Sequence, residues 1–389
     1  MASGRVTAEM LEDYHKNKVG RWYVNKPWYQ EATRDAFSHF AQAYGDANPL
    51  YRDPDYGKKT RWGDQIAPPT FLYTCRRGAY WTAGLPGVST LWAGDSWEFY
   101  QPIRVGDSIV AKTRYFPLVE KQSEHAGRAW DQPSEILYVK TADKTILARH
   151  RYLIKRFERG NTTGSARQKR WEGYQRHVYT KEELEKIDKL YQQETIRGGT
   201  PRYWEDVEVG EELPPVLKGP FTATDEIAFF CGAGEPFAFS GKERWEYFRR
   251  HPGANVPDRE TNTPDVPARI HWEEKMAKRF GAPDYFDAGI QRVCWLGHLV
   301  TNWVGDDGFL YKLDMQARGF ICYGDMVYCR GRVVRKYVED NNSLVDLDIW
   351  AETQRETTAP GHATVKLPSR ERGPVRLSAS PLAPADFWS

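Results

Sequence analysis

The stretch from Ala288 to Phe309, AGIQRVCWLGHLVTNWVGDDGF, constrains this chain more than any other. Val293, Leu296, Leu299, Val300 and Trp303 recur at helical spacing, and Gly305 with Gly308 closes the run. The pattern predicts one long helix with a broad apolar face, long enough to be wrapped by a sheet. An earlier region has the same plan. Ala67-Pro-Pro-Thr-Phe-Leu opens a second apolar run, and Pro68 and Pro69 suit a first helical turn, where backbone N–H groups are unpaired anyway.

The regions around these two runs also match. Before the first, Phe37, Phe40, Ala41 and Tyr44 form a helical stripe that stops at Gly45-Asp-Ala-Asn-Pro-Leu-Tyr51. After each, a Gly-Asp pair (106–107 and 324–325) precedes an alternating segment, Ile109 to Tyr115 in one case, and further strands follow at 136–157, 343–352 and 362–367. The chain therefore reads as an internal repeat: helix, turn, central helix, Gly-Asp, antiparallel strands, twice. A helix held by an antiparallel sheet is an α+β plan, and 389 residues suffice for two such units. The units are placed at 20–157 and 203–368. The linker, 158–201, carries a helix with Thr180 and Glu183 as a capping box. Thr224 is the expected cap of the second unit's first helix.

Several function classes are disfavoured. A net charge of +2 gives no electrostatic bias toward nucleic acid. The five cysteines show neither CxxC nor zinc-like spacing, so no metal is expected. No apolar run reaches membrane-spanning length and the N-terminus has no apolar core segment, so a soluble, cytoplasmic protein is expected.

Gly45-Asp46-Ala47-Asn48-Pro49-Leu50-Tyr51 resembles the hydratase motif of MaoC-like hot-dog proteins, Gly-Asp-x-Asn-Pro-x-His. Ala67-Pro-Pro-Thr-Phe and Leu85-Pro-Gly resemble the N-terminal dehydratase domain of double hot-dog acyl dehydratases. The resemblance covers most of the chain and implies tandem hot-dog domains, each long helix wrapped by its sheet, joined as a pseudo-dimer. It further implies reversible hydration of a 2-enoyl thioester to a 3-hydroxyacyl thioester. That chemistry needs a base for water, an acid for the α-carbon and donors for the enolate oxygen, which a helix N-terminus supplies.

Both halves depart from the motif. In the first, Tyr51 stands where the histidine belongs, and a phenol with a pKa of about 10 is a poor base at neutral pH. Pro68, following Ala67, has no N–H to give an enolate. The first half thus reads as an acyl-binding half, with Asp46, Asn48 and Tyr51 as substrate-binding residues. In the second, Gly232-Ala-Gly-Glu-Pro replaces the motif's opening. After an insertion comes His271, with Glu273 and Ala277 behind it as Asp53 and Gly57 stand behind Tyr51. His271 is read as the displaced motif histidine and Asp265, six residues earlier, as its carboxylate partner. Gly289 follows Ala288 as Pro68 follows Ala67, and it has an N–H. The catalytic candidates are therefore His271, Asp265 and Gly289. Arg292 is placed to meet a substrate carboxylate or phosphate, or else to pair with Asp287. His298, inside the central helix, reads as a structural histidine. Trp245, Tyr247 and Phe248 of the insertion form either a lid over the acyl chain or a packed surface element. No separate cofactor is expected, because coenzyme A or phosphopantetheine would be part of the acyl-thioester substrate. A homo-oligomer is compatible with this reading. A thioesterase and a non-catalytic acyl-thioester-binding protein are the alternatives.

Overall fold

The computed structural model describes residues 4–76, 85, 88–123, 127–158, 171–234, 240–377 and 379–388. Its helices are α1 (Ala8–Asn17), α2 (Arg34–Ala43), α3 (Pro54–Gly57), α4 (Lys181–Gln192), α5 (Ala223–Ala233), α6 (Gly241–Arg250), α7 (Glu274–Phe280) and α8 (Ile290–Val304). The strands are β1 (Trp22–Val24), β2 (Ser89–Phe99), β3 (Ile109–Tyr115), β4 (Val119–Ser123), β5 (Gly127–Lys140), β6 (Ile146–Phe157), β7 (Val216–Lys218), β8 (Phe309–Gln316), β9 (Val327–Glu339), β10 (Asn342–Glu352) and β11 (Thr357–Leu367). No helix of the described residues is long and apolar enough to cross a membrane.

All eleven strands lie in one antiparallel sheet, in the order β1-β3-β5-β6-β2-β8-β11-β10-β9-β7, with β4 on β5. Each half contributes a contiguous block, and the two blocks join edge to edge where β2 pairs with β8, from Gly94 opposite Gln316 to Glu98 opposite Lys312. The expected α+β plan of two units sharing one sheet is the one observed. On the other side of β2, its ladder with β6 slips between Trp92 and Gly94. Such a bulge turns a side chain to the other face, and here it brings Trp92 to the face of Asp95. Only glycine fits at 94, where φ is +150° and a Cβ would lie 2.3 Å from the Met315 carbonyl oxygen.

The predicted central helix of the second half is α8, and every one of its residues is buried, including Arg292, His298 and Asn302. The periodicity foresaw an apolar stripe. Burial on all sides requires partners for the polar residues as well. Of the first half's central run, Pro69–Cys75 forms a 3-10 turn, and residues 77–84 lie outside the described residues, as do Pro86 and Gly87 of the Leu85-Pro-Gly match. The two leading helices, α2 and α5, pack directly: at Gly232 a Cβ would sit 2.3 Å from Ala43 Cβ. Thr222, not Thr224, caps α5, because Asp225 reaches back to the Thr222 N–H at 2.8 Å and completes a capping box. The capping box of Thr180 and Glu183 on α4 forms as predicted.

The repeat can now be placed in register. A 3-10 turn ends on Tyr51 before α3, and another ends on His271 before α7. Asp53 and Glu273 are the N-caps that follow. Ile66 bridges to Arg104 as Phe286 bridges to Cys322. At this constant spacing Gly289 corresponds to Pro69 rather than Pro68. The one-residue shift leaves the contrast intact, because Pro69 also lacks an N–H.

Candidate functional site

Three places hold the candidate residues. The first is the start of α8. Gly289 is its N-cap, and among the described residues its N–H meets no acceptor. Its neighbour Ala288 donates to both carboxylate oxygens of Glu226, at 3.1 and 3.2 Å. His271 arrives from the turn before α7. Its Nδ1 is 2.8 Å from the Phe286 carbonyl oxygen. A carbonyl only accepts, so Nδ1 carries the proton and Nε2 keeps its lone pair. Glu226 Oε1 stands 4.0 Å from the same Nδ1. Burial pushes the His271 pKa below its ordinary value, which keeps the ring neutral, while Phe286 O and Asp287 oppose the shift.

The wall opposite Gly289 comes from the first half. A Cβ at 289 would fall 2.4 Å from Trp92 Cε3, so the indole lies against the helix start and glycine is required there. Trp92 Nε1 donates to Asp95 Oδ1 at 2.8 Å. The same oxygen is 3.1 Å from His150 Nε2, and Tyr73 OH donates to Oδ2. His150 stacks on Trp97 with centroids 3.8 Å apart. Burial alone would raise the Asp95 pKa, but His150, Arg76 and Tyr73 outweigh it and hold it low. The charged carboxylate thus fixes the indole ring.

The second place is the motif of the first half. Asp46 is buried and turns into the core. Its Oδ1 accepts from the Asn48 N–H at 2.9 Å, and Tyr44 OH donates to Oδ2 at 3.1 Å. The histidine it meets is His298 of α8, with Nε2 3.4 Å from Oδ1 and 3.3 Å from Glu194 Oε1. Lys218 completes the cluster. Its Nζ donates to the Tyr44 and Gly45 carbonyls at 2.8 and 3.0 Å and lies 2.9 Å from His298 Nδ1. Burial lowers the Lys218 pKa, with Glu194 and Asp46 pulling the other way. The side chains of Asp46 and His298 are fully buried, Glu194 keeps only a small exposed edge, and the cluster clamps the halves together.

The third place is a cleft beside that clamp. Asn48, Tyr51, Ala67 and Pro69 of the first half line it, with Thr301 and Asp306 from the end of α8. Asn48 Oδ1 caps its own turn through the Leu50 N–H at 3.0 Å. Burial, reinforced by Asp46, pushes the Tyr51 phenol far above its ordinary value.

Asp265 is placed differently from the expectation, and of the two expectations for Arg292 the pairing with Asp287 is the one observed. Asp265 is not brought to His271. Its carboxylate faces Arg269 at 3.6 Å and accepts from the Val266 N–H, because the turn that carries it folds back on its own segment. Arg292 gives Nε and Nη2 to Asp287, both at 2.6 Å, and Nη1 to the Thr358 carbonyl at 3.0 Å. Buried among these acceptors, its guanidinium is bonded within the chain. Of the insertion's aromatics, Phe248 is buried against Val266 and Ala268, while Trp245 is half exposed.

Residues 17–137 match the family described as FAS1-like, dehydratase domain region. A UPF0336 protein of Thermobifida fusca is 34% identical over 105 residues, which cover 25% of this chain and 68% of that protein. A solved MaoC-like dehydratase superposes with a TM-score of 0.64 at 16% identity, over 90% of this chain and 99% of the other. The chain belongs to the family of the UPF0336 proteins, and its fold is the double hot-dog fold. A double-hotdog-fold protein of Mycobacterium tuberculosis superposes at a TM-score of 0.53 with 9% identity, covering 91% of this chain and 97% of that one.

Sequence reasoning missed Glu226, Trp92 and the partnership of Asp46 with His298. Glu226 left a faint signal: an acidic residue at the spacing of Phe229 and Phe230, hence on a buried face. Trp92 left none, because its direction depends on a bulge. In the second half Gly234 takes the left-handed conformation of Gly45, so Glu235 falls at the chain position of Asp46, and 235–239 lie outside the described residues.

Proposed function

We propose that this protein is a hydro-lyase that interconverts a 2-enoyl thioester and a 3-hydroxyacyl thioester, with its chemistry at the start of α8. His271 Nε2 takes a proton from water as the hydroxyl adds to the β-carbon. The electron pair moves onto the thioester oxygen, where the Gly289 N–H holds the enolate. The imidazolium returns the proton to the α-carbon, so one water is added and nothing is oxidised or reduced. The reverse sequence is dehydration. Glu226 binds the Ala288 N–H beside the donor and stabilises the imidazolium formed in passing. The thioester belongs to coenzyme A or to a carrier's phosphopantetheine, which enters as part of the substrate.

One observation carries the reading. His271 uses Nδ1 on a carbonyl three residues before Gly289, which leaves a basic nitrogen next to a helix start with an unspent N–H. The test follows loss of enoyl-thioester absorbance for short, branched and aromatic coenzyme A thioesters. His271→Ala is expected to lower kcat by about a hundredfold or more, while Asp265→Asn leaves it within a few fold. Release of free thiol together with a 2-enoic acid that keeps its double bond would make the protein a thioesterase instead. Binding without turnover would make it a carrier of acyl thioesters.

A further inference from the structure

Trp92 belongs to the first half, yet it stands at the helix start of the second. The seam between the halves ends beside it. Among the described residues the last backbone bond across the seam runs from the Ala317 N–H to the Ala93 carbonyl at 3.0 Å, and from Ser89 to Trp92 β2 pairs with β6 alone. Trp92, Gly289 and His271 each keep part of their surface open to solvent, so a group can reach all three. Three constraints hold the indole. The bulge before Gly94 sets the direction of the side chain. Nε1 is spent on Asp95 Oδ1 at 2.8 Å, and that carboxylate is itself buried and held by Tyr73. The benzo edge packs on Gly289, where a Cβ would meet Cε3 at 2.4 Å and Cζ3 at 2.6 Å. A ring tied at both ends does not turn aside for a larger group.

We infer that Trp92 determines specificity at the start of α8: its locked indole admits acyl thioesters unbranched at the α-carbon and excludes those with a substituent there. The inference rests on the reading of the Gly289 N–H as the donor to the thioester oxygen. An oxygen held about 2.9 Å from that nitrogen brings the carbonyl carbon, and the α-carbon bonded to it, to the helix start. There the indole occupies the space that a side chain at 289 would have taken. A hydrogen on the α-carbon fits beside the ring. A methyl needs the volume of the ring edge, and moving the ring breaks its bond to a charged acceptor. Asp95 touches no substrate and is a positioning residue, because it fixes the ring that does.

The experiment uses the full chain and two saturated thioesters, butanoyl-CoA and 2-methylbutanoyl-CoA, which carry no double bond to hydrate. Isothermal titration calorimetry reads the ratio of their Kd values. The parent protein is expected to bind butanoyl-CoA tighter by about tenfold or more. Trp92→Leu is expected to bring the two within about threefold by improving the branched ligand. Trp92→Phe keeps a ring but loses the N–H that Asp95 holds, and its ratio is expected to fall between the two; it carries the test if the leucine variant does not fold. Both ligands are measured on one sample, so a general loss of folded protein cancels from the ratio. Equal binding by the parent, a ratio unchanged by the substitutions, a ratio that falls only because butanoyl-CoA binds more weakly, or no binding of either thioester overturns the inference. Hydration is read separately, with crotonyl-CoA and the parent protein. Discrimination set by Trp92 without hydration would overturn the hydratase reading alone, and hydration without discrimination would overturn the role of Trp92 alone.

Discussion

Replacing Lys218 by Met tests whether the buried polar cluster clamps the two halves. The ammonium spends its three donors on the Tyr44 carbonyl, the Gly45 carbonyl and His298 Nδ1. Methionine keeps the chain volume but removes all three bonds, and it strands the buried Asp46 and Glu194 carboxylates beside His298. Each orphaned acceptor costs on the order of 1–3 kcal/mol. Relief of the ammonium's own desolvation offsets part of this. Removing one member of a buried charged cluster then leaves a net loss of about 3 kcal/mol. An unfolding entropy of about 2.1 cal/mol/K per residue gives roughly 0.8 kcal/mol/K for a chain of 389 residues that unfolds as one unit. The expected fall in Tm is therefore about 4 °C by differential scanning calorimetry near neutral pH. Asp46→Asn combined with Lys218→Met should lose less than the sum of the single changes, because the two residues share His298. An unchanged or higher Tm, or strict additivity, would refute the clamp and show that the cluster is no better than a greasy contact.

Three further outcomes are expected. Gly289→Ala puts a methyl into the Trp92 indole; it should cost about 1–3 kcal/mol, change the near-ultraviolet circular dichroism and lower kcat, and a variant with native spectrum and activity would contradict that packing. Arg292→Leu strands Asp287 as an unpaired buried charge, so unfolding should become easier by about 3–5 kcal/mol; a folded variant of native stability with a raised KM would instead place Arg292 on the substrate. Burial depresses the His271 pKa from 6.5, so the unfolded chain takes up the proton first. The stability it contributes is complete above pH 6.5 and is lost as the pH falls through the folded value; the acid limb of the hydration rate should likewise lie below pH 6.5, and a limb above it would exclude His271 as the base.

The sequence by itself determined the plan of the molecule. The spacing of Val293, Leu296, Val300 and Trp303 specified α8, the Gly-Asp pairs specified the turns before the strands, and the repeat specified two halves. These signals are local: a helix period, a turn geometry and a missing N–H on proline are readable wherever they occur along the chain. The one-residue register of Pro69 against Gly289 was not, because it depends on which residues bridge across the sheet. The local Arg292–Asp287 pair was among the alternatives the sequence offered, but the partners of Asp265, Asp46 and Ala288 were not readable. Asp265 lies six positions from His271 yet pairs with Arg269, whereas Asp46 finds His298 and Ala288 finds Glu226, each from an element distant in sequence. Burial favours a partner for each polar side chain, but which partner is available depends on how the two halves of the sheet meet at β2 and β8 and on a bulge that aims Trp92. Only the tertiary structure decided that.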